Sequence, residues 1–164
     1  TVLEIGGGVG EMQLHLLARG ASSATNVELV EAYDGPAAEL AAEVGVTDRV
    51  QRVIGDVAVD PSVVGPADLV VLHRVVCCYP DAEALLSAAG RLTQRALVLT
   101  HPPYSPVVRA MTRLINLGQR VMGREYRAFD HDPDLMTSVL QAEGLRVSHR
   151  RSGLVWHVLG AVRT

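Results

Sequence analysis

The first ten residues, TVLEIGGGVG, place the strongest constraint on how this chain folds. Val2, Leu3 and Ile5 belong to a short run rich in strand-forming side chains, and the run breaks into a glycine cluster. A pattern typical of a helix starts near Glu11, directly after that cluster. A strand, a tight glycine turn and a helix in this order form the first βα unit of nucleotide-binding α/β folds.

The spacing of the glycines narrows the kind of nucleotide. An acidic residue precedes three alternating glycines in the pattern E-x-G-x-G-x-G: Glu4, Gly6, Gly8 and Gly10. The dinucleotide fingerprint G-x-G-x-x-G needs its last glycine where Glu11 stands. A pyrophosphate at this helix start would meet the carboxylates of Glu4 and Glu11, which have the wrong charge for an anion. A ligand with a cationic or zwitterionic end has no such conflict.

This turn resembles the first motif of the class I S-adenosylmethionine (SAM) dependent methyltransferases. In that family an acidic residue followed by G-x-G-x-G ends the first strand. The resemblance implies SAM as the cofactor, bound at Glu4, Gly6, Gly8 and Gly10. It also implies that Glu4 marks the end of the site that receives the charged methionine part of SAM.

A second acidic residue ends the next strand, predicted over residues 24–30. Glu28 lies eighteen residues past Gly10, close to the interval at which βαβ nucleotide folds place a carboxylate on the ribose. A carboxylate in that position can accept the protons of both ribose hydroxyls. Glu31 is the second choice for this role.

The third predicted strand, over residues 48–54, runs into Gly55 and Asp56. The resemblance implies that the Asp56 carboxylate accepts a hydrogen bond from the adenine amino group. It also implies that the backbone amide of Val57 meets the adenine ring. The alternative is that Gly-Asp simply forms a turn here.

The loop after the fourth predicted strand, residues 67–72, supplies the candidate for proton transfer. In the resembled family this loop lies beside the methyl group that is transferred, so His73 is the candidate general base because its titration range suits the task. A helix-capping or core histidine is the alternative. Arg74 is expected to pack or pair near the tail of the cofactor rather than to react.

Other polar residues downstream are weaker candidates for orienting a substrate, namely Tyr79, His101 and Tyr104. The tetrapeptide HPPY, residues 101–104, is similar to the N-P-P-Y motif of DNA amino-methyltransferases. In those enzymes the motif follows the fourth strand and begins with Asn, whereas here it follows the fifth strand and begins with His. We therefore expect no DNA substrate.

The remaining elements complete an alternating pattern of strands and helices. Further strands are predicted over residues 96–100, 145–150 and 154–162, and the helices end near residues 20, 44, 90, 122 and 143. Five βα units followed by an antiparallel hairpin match the architecture of the resembled family over nearly the whole chain. The resemblance implies an α/β, Rossmann-like, doubly wound sheet of seven mostly parallel strands in the order 3-2-1-4-5-7-6, with helices on both faces.

Composition excludes several classes of protein. The 164 residues suit a single domain, and no apolar run approaches the length of a membrane span, so no membrane partner is expected. The net charge of -3 argues against a nucleic-acid partner. The chain begins inside a strand and without Met, so we expect an upstream segment, which in the resembled family caps the active site.

The only two cysteines, Cys77 and Cys78, are adjacent and cannot staple distant segments together. A reducing cytoplasm fits this usage. Zinc sites need separated ligand pairs, so no metal site is expected and a small apolar packing role is favoured for both cysteines.

Five arginines occur between residues 109 and 127: Arg109, Arg113, Arg120, Arg124 and Arg127. One interpretation is a solvated basic face on a helix. The other is a clamp for a carboxylate, a phosphate or an anionic partner surface. If they form a clamp, Arg113 and Arg120 are expected to neighbour the pocket for the methyl acceptor.

Together these observations predict an enzyme that transfers a methyl group from SAM to an O, N or C nucleophile of a small molecule. Two alternatives remain open: an oxidoreductase that uses a nicotinamide nucleotide, and a SAM-binding domain or partner without catalytic activity. A homodimer is also left open.

Overall fold

A computed structural model describes all 164 residues, Thr1–Thr164. Its seven strands are β1 (Val2–Ile5), β2 (Ala24–Glu28), β3 (Val50–Ile54), β4 (Ala67–Leu72), β5 (Thr93–His101), β6 (Leu145–Arg151) and β7 (His157–Arg163). Its five α-helices are α1 (Glu11–Ala18), α2 (Asp34–Val44), α3 (Ala82–Leu92), α4 (Pro106–Val121) and α5 (Pro133–Ala142). None of these helices has the length and apolar character that crossing a membrane requires.

The strands form one sheet in the order β3-β2-β1-β4-β5-β7-β6, which confirms the predicted topology. The first five strands pair in parallel, and β7 is antiparallel to both β5 and β6. The order reverses between β1 and β4, so a crevice opens there at the carboxyl ends of the strands. This is the position at which doubly wound folds bind their ligands.

Helices cover both faces of the sheet. On one face the larger core joins the sheet to α3 and α5, where Leu86, Met136 and Leu140 are completely buried. On the other face Leu17 of α1 packs with Val2 of β1. The central strands are buried on both faces because they are apolar nearly throughout, as the run in β4 shows.

Three helices, α3, α4 and α5, begin after a residue whose side chain caps the first turn. The Asp81 side chain accepts a hydrogen bond from the Ala84 amide at 2.9 Å and begins α3. The Ser105 hydroxyl accepts from the Val108 amide at 3.2 Å, and Pro106 is the first residue of α4. Each cap pairs a backbone N–H that the helix leaves free.

Several predicted boundaries are wrong: β5 begins at Thr93 rather than residue 96, and β3 begins at Val50 rather than residue 48. Gly90 does not end α3 but lies inside it. The residue is a glycine because Glu143, at the end of α5, packs so closely against it that no Cβ would fit. Strand β2 ends at Glu28 rather than continuing to residue 30. The last hairpin turns over residues 152–156, so β7 begins later than the alternating pattern predicts.

The end of β7 is fixed by Arg163. Its guanidinium donates to the carbonyl oxygens of Gly90, Thr93 and Glu143, at the C-terminal ends of α3 and α5 and the start of β5. A single side chain thus ties together the chain segments at the end of the sheet away from the crevice.

Candidate functional site

The glycine turn after β1 needs backbone conformations that favour glycine. Gly6, Gly8 and Gly10 have φ values of 66°, 56° and 86°, all in the left-handed region. At Gly6 a Cβ atom would also lie 2.8 Å from a methyl group of Val75. The turn therefore lies directly against the loop that follows β4, and Gly10 is the N-cap residue of α1.

Glu4 lies underneath this turn. Its side chain is 2% exposed, and its carboxylate accepts a hydrogen bond of 2.9 Å from the Gln13 amide in α1. A Cβ at Gly7 would lie 2.6 Å from the Glu4 carboxyl carbon, so the glycine lets the turn close over the acid. Burial raises the pKa of Glu4 to about 7.

The buried space beside Glu4 contains polar atoms without partners. Asn26 of β2 pairs in register with Glu4 and is completely buried, and neither its Oδ1 nor its Nδ2 has a hydrogen-bond partner. The Gln13 Oε1 atom, also buried, has none either. Unpaired polar groups are costly in a core, so this layer beneath the turn is a polar cluster rather than ordinary packing.

Glu28, at the end of β2, holds the turn from the side. One carboxylate oxygen accepts from the Gly8 amide at 2.8 Å, and the other accepts from the Leu29 and Val30 amides at 2.8 and 3.2 Å. Three backbone donors fix the orientation of the side chain. Its carboxylate consequently faces the crevice beside the glycine turn.

Asp56, after β3, is held by two donors. Its Oδ1 accepts from the Ala58 amide at 2.9 Å, and its Oδ2 accepts from the Tyr79 hydroxyl at 2.9 Å. Burial and the neighbouring Asp56 carboxylate raise the pKa of Tyr79 to about 12, so the phenol stays a donor over the ordinary pH range. Val57, the next residue, is almost completely buried.

A cavity of about 340 Å³ lies at the reversal between β1 and β4. The wall brings together six of the predicted site residues: Gly6, Gly8, Glu28, Asp56, Val57 and Arg74. Glu4, Gly10 and His73 are not part of the wall. Apolar residues make up most of the wall, and the carboxylates of Glu28 and Asp56 are its acidic groups.

The loop after β4 holds Arg74 in a strained conformation. Arg74 has φ of 62°, the only left-handed value outside glycine, and its amide donates to the Thr100 hydroxyl at 2.8 Å. Its guanidinium lies 5.2 Å from the ring centroid of Trp156. The expected place of Arg74 near the tail of the cofactor stays a prediction.

His73 lies behind this residue at the end of β4. Its Nδ1 is 3.5 Å from the same Thr100 hydroxyl. Burial and the positive charge of Arg74 lower the pKa of His73, so the ring is neutral near pH 7 and has a free lone pair for a proton. Its role as a general base stays a prediction.

The two cysteines do not form the apolar packing contact that the sequence predicts. Cys78 is exposed and lines the cavity, and its sulfur lies 3.8 Å from that of Cys77 and 3.5 Å from the Tyr126 hydroxyl. The Cys77 thiol, as a hydrogen-bond donor, lowers the pKa of Cys78 to about 6, while the pKa of Cys77 is raised. The pair is a dithiol at the rim of the site.

Of the three weaker candidates, only Tyr79 lines the cavity. His101 is buried in β5 with its ring against that of His157, and Tyr104 is exposed under the guanidinium of Arg109. Arg113 and Arg120 also lie outside this cavity wall, and their expected place beside a pocket for the methyl acceptor stays a prediction.

Sequence reasoning missed several residues of the wall: Leu29, Val30, Tyr33, Val75, Leu85 and Tyr126. The position directly after Glu28 and the end of β2 could have indicated three of them, Leu29, Val30 and Tyr33. Tyr126 gave none, because it reaches the cavity only where the chain folds back after α4.

Comparison with known proteins gives a fold but no family. No protein-family profile matches the sequence, and no curated protein does. Solved structures match well: magnesium protoporphyrin IX methyltransferase from Synechocystis, with S-adenosylhomocysteine (SAH) bound, has a TM-score of 0.79 and 24% identity, covering 99% of this chain and 74% of that chain.

Two further structures agree. An O-methyltransferase family protein from Burkholderia thailandensis has a TM-score of 0.81 and 20% identity, over 99% of this chain and 50% of that one. Geranyl diphosphate C-methyltransferase from Streptomyces coelicolor, in complex with magnesium, geranyl diphosphate and SAH, has a TM-score of 0.79 and 14% identity. The match covers 99% of this chain and 71% of that one. The chain therefore has the fold of the SAM-dependent methyltransferases, which confirms the predicted fold.

Proposed function

We propose that this protein is a SAM-dependent methyltransferase that acts on a small molecule. One observation carries the proposal: the carboxylates of Glu28 and Asp56, at the ends of neighbouring strands, face the same cavity as the left-handed glycine turn. The fold shared with SAH-bound methyltransferases supports it.

The chemistry of the cavity fits SAM better than a dinucleotide. The ribose and adenine of SAM offer hydroxyl and amino donors, and Glu28 and Asp56 offer acceptors. The cationic end of SAM is compatible with the turn, because the acidic group buried beneath it, Glu4, does not repel a positive charge. A pyrophosphate would find carboxylates instead of cations at the same helix start, which argues against the oxidoreductase alternative.

In the proposed reaction the protein contributes mainly position and desolvation. Glu28 and Asp56 orient the nucleoside, and the apolar wall with Ile5 and Val27 excludes water. When bound, SAM supplies an electrophilic methyl carbon on its sulfonium. His73, neutral near pH 7, is the group that we assign to accept a proton from an acceptor that needs one.

The proposed acceptor is a small molecule that presents an O, N or C nucleophile. The structural neighbours support this class, since those above act on a porphyrin and a prenyl diphosphate according to their names. The acidic net charge supports the absence of a nucleic-acid substrate, and the free cysteines support a reducing compartment such as the cytoplasm.

Calorimetry with SAH and, separately, with NADH tests the proposal. We expect SAH to bind and NADH not to bind, and Glu28→Ala to weaken SAH binding. NADH binding without SAH binding would contradict the proposal and favour the oxidoreductase alternative.

A turnover assay separates an enzyme from a binding domain. The purified protein is incubated with SAM and a panel of phenolic, amine and carbon-acid acceptors, and released SAH is measured. Turnover that drops in His73→Ala supports both the activity and the base. SAH binding with no turnover on any acceptor would favour the non-catalytic SAM-binding alternative.

A further inference from the structure

Helix α4 turns its polar side toward the protein. Thr112, Asn116 and Gln119 share one face by their spacing of four and three residues, and all three are half-buried. The Asn116 side chain donates a hydrogen bond to the Ala128 carbonyl oxygen and accepts one from the Ala128 backbone N–H, both at 2.8 Å. This face of the helix is therefore fixed on the segment that follows it. No residue of α4 is fully buried.

The opposite side of α4 is apolar and exposed. We call it the apolar stripe, and it consists of Val107, Met111, Leu114, Leu117 and Val121. Leu114 is 68% exposed and Val121 is 80% exposed. Amphipathic helices of globular proteins normally point such a stripe into the core, and a contiguous exposed apolar patch marks an interaction surface.

More apolar surface lies at the same edge of the sheet. His101, the last residue of β5, pairs with His157, the first residue of β7, so the hairpin turn before β7 lies beside the chain that leads into α4. That turn exposes Leu154 and Val155. The cavity opens at this carboxyl edge as well.

Arginines run along the flank of the apolar stripe. Arg109, Arg113 and Arg120 share one side of α4, and Arg124 follows in the next turn of chain. Arg109 pairs with Asp130 at 3.2 Å, whereas Arg113, Arg120 and Arg124 form no ion pair.

Charge is strongly segregated toward this region. Residues 104–127 contain five arginines and one glutamate, a net charge of +4, while the rest of the chain has ten arginines and seventeen acidic residues, a net charge of -7. A positive patch on an acidic protein selects an anionic partner by attraction there and repulsion elsewhere.

We propose that α4 docks this protein on an anionic membrane surface. In the docked state the apolar stripe enters the boundary between headgroups and acyl chains, and the arginines along its flank meet the lipid phosphates. An exposed apolar stripe with unpaired cations beside it is the pattern of a helix that lies in such an interface. A second copy of this chain that docked through the same face would place its own unpaired arginines against these, like charge against like charge.

The proposal revises the expectation of no membrane partner. That expectation depended on the absence of a membrane-spanning segment, and a helix that lies on the surface does not need one. It is also independent of the cofactor, because the stripe and the arginines lie outside the cavity wall.

Vesicle flotation tests the docking. The full chain is mixed with vesicles of phosphatidylcholine alone or of phosphatidylcholine with phosphatidylglycerol. Three unpaired arginines predict binding on the order of a hundredfold tighter to the anionic vesicles, and weaker binding in high salt. Absence of flotation with the anionic vesicles, or equal flotation with both, overturns the proposal.

Matched variants locate the surface. Leu114→Gln combined with Val121→Gln is expected to abolish flotation, while Val59→Gln, at a residue 79% exposed elsewhere, leaves it unchanged. Arg113→Gln combined with Arg120→Gln is expected to reduce the preference for anionic vesicles at least tenfold. Arg146→Gln, on exposed β6, is its control.

Two further outcomes are decisive. A concentration-dependent dimer in analytical ultracentrifugation that Leu114→Gln with Val121→Gln dissolves, without flotation, would show that a second copy covers the stripe and overturn the proposal. SAH calorimetry on these variants and their controls separates the two proposals. If Val59→Gln or Arg146→Gln abolishes flotation but keeps SAH binding, only the docking surface is contradicted.

Discussion

The Tyr79 hydroxyl donates a hydrogen bond of 2.9 Å to the Asp56 carboxylate and so joins the loop after β4 to the end of β3 across the cavity. Tyr79→Phe removes that donor and leaves Asp56 with the Ala58 amide alone. We expect SAH affinity to fall by up to about tenfold, the cost of a lost hydrogen bond that orients a binding group. Calorimetry measures the change. Tyr104→Phe, outside the cavity, is the control, and an equal loss in both variants would contradict the role of Tyr79.

Glu28→Gln tests the carboxylate that three backbone amides orient. An amide side chain keeps one acceptor oxygen but replaces the other with a donor, which then faces an N–H group. We expect SAH to bind about ten- to a hundredfold more weakly, as for a lost hydrogen bond to a charged group. Glu31→Gln, in the exposed turn after β2, should bind SAH like the wild type. A weaker effect at Glu28 than at Glu31 would move the ribose site to Glu31.

Glu4 makes the stability of the ligand-free protein depend on pH. The folded protein keeps its proton up to a pKa of about 7, whereas the unfolded chain loses it near 4.5. Between these values the folded state binds more protons, so the free energy of unfolding falls as the pH rises, by about 3 kcal/mol in total. Urea unfolding at several pH values measures it.

The matched variants for this prediction are Glu4→Gln and Glu11→Gln. Glu4→Gln should remove the loss of stability above pH 5 and make the protein more stable than the wild type at pH 8, because no charge is then buried. Glu11→Gln, at an exposed position of α1, should keep the pH dependence of the wild type. If the wild type becomes more stable between pH 5 and 7, Glu4 is ionised in the fold.

Gly6→Ala is expected to destabilise the protein by at least about 2 kcal/mol, since it adds backbone strain at φ of 66° to a clash with Val75. Gly35→Ala is the opposite case. Gly35 lies in α2 with open space around it, so alanine should stabilise the helix by about 0.5–1 kcal/mol. Thermal unfolding of both variants measures the difference, and a neutral Gly6→Ala would show that the turn can relax.

Cys78 is expected to react with iodoacetamide much faster than Cys77 at pH 7. With its pKa near 6 it is mostly thiolate, and its alkylation should rise through pH 6 and level off above pH 7. Mass spectrometry of Cys77→Ser and Cys78→Ser proteins separates the two sites. Cys77→Ala removes the thiol that donates to Cys78 and should move the rise in Cys78 alkylation to higher pH. An unchanged pH profile would rule out the contact between the two sulfurs as the cause of the low pKa of Cys78.

The candidate site could be predicted where local pattern and strand order act together. Glu28 and Asp56 each follow an apolar strand, and parallel strands bring their carboxyl ends to one edge, so their approach follows from topology. The Tyr79–Asp56 bond depends instead on the short 3₁₀ turn Val76–Cys78 that redirects the loop. No local sequence signal specifies that turn.

Helix α4 shows a different limit. The helical periodicity correctly indicates which residues share a face. It also predicts that the apolar stripe, which includes Leu114, is buried. Burial requires a second surface, and within these 164 residues nothing packs there. For Gly90 the missing information was tertiary as well, since only the packing of Glu143 explains a glycine inside a helix.

The position of β7 has a consequence for how the molecule folds. The last strand in the sequence lies inside the sheet, between β5 and β6, and Arg163 near its end ties together segments up to 73 residues away. During synthesis β5 therefore keeps an open edge, and β6 has no partner, until β7 emerges. Completion of the sheet is a late, long-range step, and a nascent chain stalled before β7 is exposed to aggregation.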